Sequence, residues 1–258
     1  LDIDSVSESR LRLPFDEQMC AVVEENKPEV VSFHFGLPAP NLVDRLKSHG
    51  IKILSSATSV REAQWLEQHG CDAVITQGVE AGGHRVCFLE TTIATQSGLF
   101  ALLPQVKDAV SVPVIAAGGI ADARGIAAAF ALGASGVQLG TAYLSCPESN
   151  ISPLCRRALE GVADNGTALT NLFSGRPARG IMNLFLQESG PMSDAAPAFP
   201  HAATLVAPLR AASERAGSVD YMQLWAGQVA ALVKAMPADL FTSKLAVDVF
   251  GLCKTSGR

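Results

Sequence analysis

Val112-Pro113-Val114-Ile115-Ala116-Ala117-Gly118-Gly119 and, after one alanine-rich stretch, Gly136-Val137-Gln138-Leu139-Gly140-Thr141 decide the fold. Each is a short apolar, β-branched run that closes on glycine, the pattern of a parallel strand buried on both faces and released into a turn. Between them Asp122 can cap a helix that ends at Gly133. Backbone N–H groups in two consecutive glycine turns, each with a helix start behind it, can hold a phosphate without any lysine. The alternative is that these glycines only permit tight turns.

The same unit repeats upstream. Val30 to Phe35 predicts a strand and Asn41 to His49 a helix stopped by Gly50. Ile51 to Leu54 is the next strand, and Ser59 with Glu62 three residues on is a capping box for a helix ending at Gly70. Ala73 to Thr76 is a third strand. Gly98 to Val110 carries Leu99, Leu102, Leu103 and Val106 at helical spacing and leads into the strand at Val112 to Ala116. Five strands with helical crossovers fit an open doubly wound sheet or part of a (β/α)8 barrel. The paired glycine-bearing strand ends favour the TIM barrel, which commonly binds phosphate in such turns.

Composition narrows the function classes. The chain has 258 residues, 48% of them hydrophobic, so it can bury a large core, and a net charge of -5 gives no electrostatic reason to expect nucleic acid. The longest uncharged stretch, Gly125 to Pro147, carries Ser135, Gln138, Thr141 and several glycines, which suits a helix, turn and strand better than a membrane span. No secretory signal opens the sequence. Six scattered cysteines without a C-x-x-C pair read as reduced thiols in a cytoplasmic protein. No H-E-x-x-H or comparable set of histidines supplies a metal site.

The loop Gln77-Gly78-Val79-Glu80-Ala81-Gly82-Gly83-His84-Arg85 leaves a strand C-terminus, the face where barrel enzymes place their chemistry. Paired glycines allow a flat ligand close to the backbone, and His84 beside them can donate to an anionic oxygen or act as a base near neutral pH. His34, at another strand end, is a candidate for the substrate pocket or a packed histidine. His49 and His69 precede helix-terminating glycines, where a cationic side chain suits the helix dipole. Arg176 and Arg179 flank Pro177 and read as anion ligands or as solvated, ion-paired arginines. Beyond Leu144 the rhythm turns helical: Ser152 to Gly161, His201 to Ala216 and Asp220 to Met236, the last with Met222, Trp225, Val229 and Leu232 at near-helical spacing.

These motifs, together with Phe33-His34-Phe35-Gly36, Ser174-Gly175-Arg176-Pro177-Ala178-Arg179-Gly180 and Trp225-Ala226-Gly227-Gln228, resemble the FMN-dependent nitronate monooxygenases. The resemblance implies a TIM-barrel domain that binds FMN, with a smaller, mostly helical covering domain. It implies oxidation of alkyl nitronates such as propionate 3-nitronate by O2 to a carbonyl compound and nitrite. His84 would be the catalytic histidine. Gln77, Gly82 and Gly83 would meet the flavin, and Gly118, Gly119 and Gln138, Leu139, Gly140 and Thr141 would cradle its phosphate. The division expected is 1–29 as an N-terminal helical segment (Asp16 to Glu25), 30–150 as the barrel portion and 151–258 as the cover. Partners are small molecules, without nucleic acid or membrane, and a homodimer is compatible with the reading.

Two departures accompany the resemblance. Val86 stands where the family usually has glycine after His84-Arg85. The five strands correspond to the family's fourth to eighth, and the segment before Val30 supplies no further strands. The expectation is therefore an incomplete barrel with two unpaired edges, unstable or sticky alone, and Leu1 in place of Met agrees with a fragment. The competing readings are an FMN-dependent enoyl-thioester reductase, which would need a pyridine nucleotide, and a truncated, inactive remnant. An IMP-dehydrogenase-like phosphate binder lacks its cysteine loop.

Overall fold

The computed structural model describes residues 13–90 and 92–255. Residues 1–12 of the expected N-terminal helical segment lie outside the described residues, and its remainder contains helix α1 (Glu17–Asn26), capped by the Asp16 carboxylate on the Met19 N–H. Strand β1 (Val30–Phe33) and helix α2 (Pro40–Ser48) are followed by β2 (Lys52–Ala57), α3 (Val60–Gln68) and β3 (Ala73–Gln77). A short strand β4 (Gly83–His84) interrupts the long loop to α4 (Leu99–Ala109), after which come β5 (Val114–Ala117), α5 (Ala123–Ala131), β6 (Gly136–Gln138) and the single turn α6 (Thr141–Leu144). These helices begin and end where the sequence indicates, but the capping box at Ser59 is only half formed, because the Glu62 carboxylate bonds Thr58, Phe88 and Leu89 and not the Ser59 N–H. Ser59 Oγ accepts from the Glu62 N–H, the Asp122 carboxylate accepts from the N–H groups of Arg124 and Gly125, and Gly50, Gly70 and Gly133 end their helices with positive φ.

Five strands form one parallel sheet in the order β1-β2-β3-β5-β6. A doubly wound sheet reverses its order at a switch point; this one advances in one direction, as a barrel wall does. Side-chain alternation then separates two environments. Val74, Val114, Ala116 and Val137 point to a core with Leu102, Leu103, Val106 and Ile126 of the surrounding helices. Ile75, Gln77, Ala117 and Gln138 point the other way, into a cleft. Among the described residues β1 and β6 are the edges of this sheet. The apolar run at Gly136 to Leu139 predicted a strand covered on both faces. Gln138 is instead exposed, because β6 has a strand on one side only and its cleft face is open.

The second half departs further from expectation. Helices α7 (Pro153–Glu160), α8 (Leu184–Ser189) and α9 (His201–Arg215) are present, but β7 (Thr167–Thr170) and β8 (Ala178–Ile181) pair antiparallel, and β8 takes β4 on its other side. The α-helix predicted over Asp220 to Met236 is not formed. Its polar backbone groups bond to other segments: Leu224 C=O accepts from the Ile181 N–H, Met222 C=O accepts from Asn183 Nδ2, and Trp225 bridges to Gly180. Only Ala230–Leu232 makes a 3-10 turn. The last helix, α10 (Ala238–Thr255), returns to pack Phe241, Leu245 and Val249 on the barrel core beside α5.

Glu62 ties this frame to the loop before α4. Its buried carboxylate accepts from the Thr58 N–H (2.7 Å) and Thr58 Oγ1 (2.8 Å), and from the N–H groups of Phe88 (2.6 Å) and Leu89 (3.1 Å). Glu62→Ala orphans these donors and is expected to lower unfolding free energy by about 3 kcal/mol in urea denaturation, with Glu62→Gln costing less.

Candidate active site

The cleft at the C-terminal ends of the parallel strands opens to solvent. Gln77, Gly82, Gly118, Gly119, Gln138, Gly140, Thr141 and His34 all line it. Gly118 and Gly119 have φ of +100° and +69°, and a Cβ on Gly118 would stand 3.0 Å from the Ala81 nitrogen, so the turn accepts glycine for both conformation and space. A Cβ on Gly140 would meet nothing within 4 Å, which leaves its turn open to the cleft. Leu139 differs: its side chain packs against the core and only its backbone is available to a ligand.

The floor of the cleft is locked to the extended segment that sequence patterning misread as helix. The Gly227 N–H donates to Thr141 Oγ1 (2.9 Å) and the Gln228 N–H to the Glu80 carbonyl (2.9 Å). A Cβ on Gly82 would lie 2.6 Å from the Gly227 nitrogen, so these two glycine backbones pass in direct contact. The Glu80 carboxylate accepts from the Leu99 N–H at the start of α4, replacing the side-chain cap that Gly98 lacks.

From Gly82 the chain enters β4, where His84 pairs with Ala178 and the Arg85 N–H donates to Pro177 C=O. Gln77 braces this turn: Nε2 donates to His84 C=O (3.0 Å) and Oε1 accepts from the Val86 N–H (3.3 Å). Arg85 is fully buried, with Nε on Gln96 Oε1 and its two terminal nitrogens on the carbonyls of Gly78 and Gln77. Burial pushes its guanidinium down to about 10, so it stays protonated at neutral pH.

His84 Nε2 lies 2.8 Å from Ser174 Oγ, in a chamber walled by the rings of Trp225 (5.5 Å between centroids), Phe199 (6.1 Å) and Phe35 (6.2 Å). Burial holds this imidazole below the ordinary 6.5, and the neighbouring Arg176 charge adds to the effect. His34 makes a contact of 3.1 Å through Nδ1 with Ser56 Oγ, and burial lowers it too. His49 and His69 each bond the carbonyl four residues back through Nδ1, as helix-end caps. The structure thus gathers seven of the nine residues read as cofactor ligands, with His34, around one cleft, and sets Gly83 and His84 beside it. Ser174, Phe35, Phe199, Glu80 and the Trp225 to Gly227 segment were not identified as a group from sequence. They come from distant segments; all but Phe199 lie in motifs that carried a signal, but nothing in the sequence showed that those motifs meet. Among the described residues no cluster of His, Cys, Asp or Glu could hold a metal, no helix is long and apolar enough to cross a membrane, and the cysteines with described side chains are free.

Both imidazoles being depressed, the unfolded chain takes up protons first as the pH falls through 6.5. Their contribution to stability is whole above that value and is lost on acidification. The urea midpoint is expected to drop between about pH 7.5 and 5.5, and a His34→Asn/His84→Asn double variant should flatten that slope.

The family profile described as nitronate monooxygenase matches residues 5–246. A nitronate monooxygenase of Paraburkholderia phytofirmans is 44% identical over 231 residues, covering 89% of this chain and 63% of the relative, and a probable nitronate monooxygenase of Bacillus subtilis is 42% identical over 82% and 61%. The chain therefore spans just under two thirds of the length of these curated relatives. Among solved structures, a nitroalkane oxidase from Streptomyces ansochromogenes superposes with a TM-score of 0.86 at 42% identity, over 93% of this chain and 69% of that one. FabK from Thermotoga maritima superposes with a TM-score of 0.77 at 31% identity, over 95% and 75%.

Proposed function

Because the chain belongs to the nitronate monooxygenase family, we propose that it carries the FMN site and catalytic histidine of an enzyme that oxidises alkyl nitronates with O2 to a carbonyl compound and nitrite. The observation that carries this reading is the position of His84, held by β4 and Ser174 beside a glycine-walled cleft at the strand C-termini. The reductase alternative rests on the FabK likeness, whose identity is lower.

The residues fit FMN. The turns at Gly118-Gly119 and Gly140-Thr141 face the cleft without side chains in the way, and Thr141 Oγ1, which accepts from Gly227, keeps its own hydrogen to donate to a phosphate oxygen. Glu80 also borders the cleft, but its carboxylate is tied to the N-terminus of α4, which offsets its repulsion of an anion. Bound there, FMN would supply the electron acceptor for the nitronate and the reductant for O2. Gln77 braces the His84 turn through one N–H and one lone pair, and its second N–H and second lone pair remain for the flavin at the cleft wall.

His84 meets substrate as a neutral imidazole. Nε2 is committed to Ser174, which leaves Nδ1 for the substrate. A neutral nitroalkane must lose a carbon-bound proton, and Nδ1 is the base that takes it. A nitronate arrives deprotonated and needs only orientation. The rings of Phe35, Phe199 and Trp225 flank the imidazole and limit how a substrate can lie against it. His84→Asn is expected to cut kcat/KM on a nitroalkane by about 10²- to 10⁴-fold and on its nitronate by about tenfold or less. Equal losses on both overturn the base role.

The visible spectrum of the purified chain after FMN addition tests the larger claim. Flavin retained on a desalting column, bleached anaerobically by propionate 3-nitronate and unchanged by NADPH, is the expected result. Bleaching by NADPH supports the reductase, and no uptake means this stretch holds no FMN by itself. Gly118→Ala should abolish uptake, since its Cβ would stand 3.0 Å from Ala81 N at a φ of +100°.

A further inference from the structure

We propose that Arg176 is the residue by which the His84 site selects anionic substrates: its guanidinium, resting on the rings of Phe35 and Phe199, takes the negatively charged oxygen of the substrate's nitro group. This inference rests on the reading of His84 as the substrate-facing histidine.

The arginines around the loop have opposite fates. Arg179, in β8, is buried and donates to the carbonyls of Val79 and Thr167 and to Thr167 Oγ1, and Arg85 is bound to three acceptors. Both are buried and spend their donors chiefly on backbone carbonyls. Arg176, three residues before Arg179, is half-buried. Its guanidinium carbon lies 4.4 Å from the Phe35 centroid and 5.3 Å from that of Phe199, and among the described residues no carboxylate pairs with it. Ring faces hold a cation without using its N–H groups, so the donors stay available to an incoming anion.

Those two rings are also walls of the His84 chamber, so the cation stands at the reacting site. Its backbone is fixed there: the Arg176 N–H donates to Ser174 Oγ and its carbonyl accepts from the same hydroxyl, the one that holds His84 Nε2. Phe35 keeps a left-handed φ of +63°, and the Ser55 hydroxyl secures the turn through the carbonyls of Phe33 and Gly36. A strained aromatic residue held in this way beside a site is where strain is typically retained for function. The site thus contains one permanent positive charge and one neutral imidazole. That charge favours an anion over its neutral conjugate acid.

Two measurements test this. First, kcat and KM are compared on propyl-2-nitronate and on neutral 2-nitropropane for the FMN-loaded protein, Arg176→Gln and Arg176→Lys. Arg176→Gln is expected to raise the nitronate KM by about tenfold with little change in kcat, to leave the nitroalkane KM within about twofold, and to be rescued in large part by Arg176→Lys. Equal effects on the two substrates overturn the proposal. Second, calorimetric titration with sodium nitrate, a planar anion that is not turned over, reads the same cation without chemistry. Nitrate binding weakened about tenfold in Arg176→Gln and kept in Arg176→Lys supports the proposal even where no nitronate is oxidised, in which case the reaction assignment alone falls. Equal nitrate binding by the wild-type protein and Arg176→Gln, or none by either, overturns it whatever the turnover.

Discussion

Between Gln77 and Leu99 the chain leaves one sheet, contributes two residues to another and returns to a helix, and most of its backbone has no regular partner. Buried N–H and C=O groups need partners all the same. Charged side chains of both signs supply them. Arg85 donates to the carbonyls at the start of the loop, Glu62 accepts from the amides of Phe88 and Leu89, and Glu80 accepts from the amide that opens α4. Cations serve carbonyls and anions serve amides. The three ions bracket the loop along its length, and His84 has a fixed position because they do.

The same constraint explains what was legible. A parallel strand buried by helices must be apolar along its run, and a helix over it must begin with a cap and end near glycine. Ser59, Asp122, Gly50, Gly70 and Gly133 announced those boundaries, and strands β1, β2, β3, β5 and β6 stand within three residues of the predicted runs, the largest difference being at the end of β2. The cleft was legible for a related reason. Glycine at a strand end marks a place where backbone must pass close to something, and at Gly118 the neighbour is the backbone of Ala81.

What was not legible lies where partners are distant in sequence. β4 is two residues long, and Ala178–Ile181 carries a buried arginine and a glycine, so neither has the alternation that marks a strand. Met222, Trp225 and Val229 repeat at helical spacing, yet they belong to an extended segment. Met222 packs with Ile181 and Leu159, Trp225 against Phe173 and His84, and Val229 borders the cleft. Three environments on one segment give an apolar pattern that periodicity reads as a single helical face. Gly227 carries the contrary signal: a Cβ there would come within 2.8 Å of Glu80 O, so the segment must press its bare backbone on the loop.

Charge is the other quantity that sequence spacing leaves undetermined. Arg176 and Arg179 are separated by two residues and read alike. In β8 the side chains of neighbouring positions leave the strand on opposite faces, and the chain before the strand turns about Gly175. Arg179 is thereby carried inward to the carbonyls of Val79 and Thr167, while Arg176 stays on the aromatic wall of the histidine chamber. Exchanging their roles would place an unbonded guanidinium in the interior, where desolvation opposes it, and would remove the cation from the site. The short motif therefore works by asymmetry. One arginine is stabilised by acceptors so that the sheet can close over the loop, and the other is stabilised by ring faces, which leave its donors exposed to whatever anion enters.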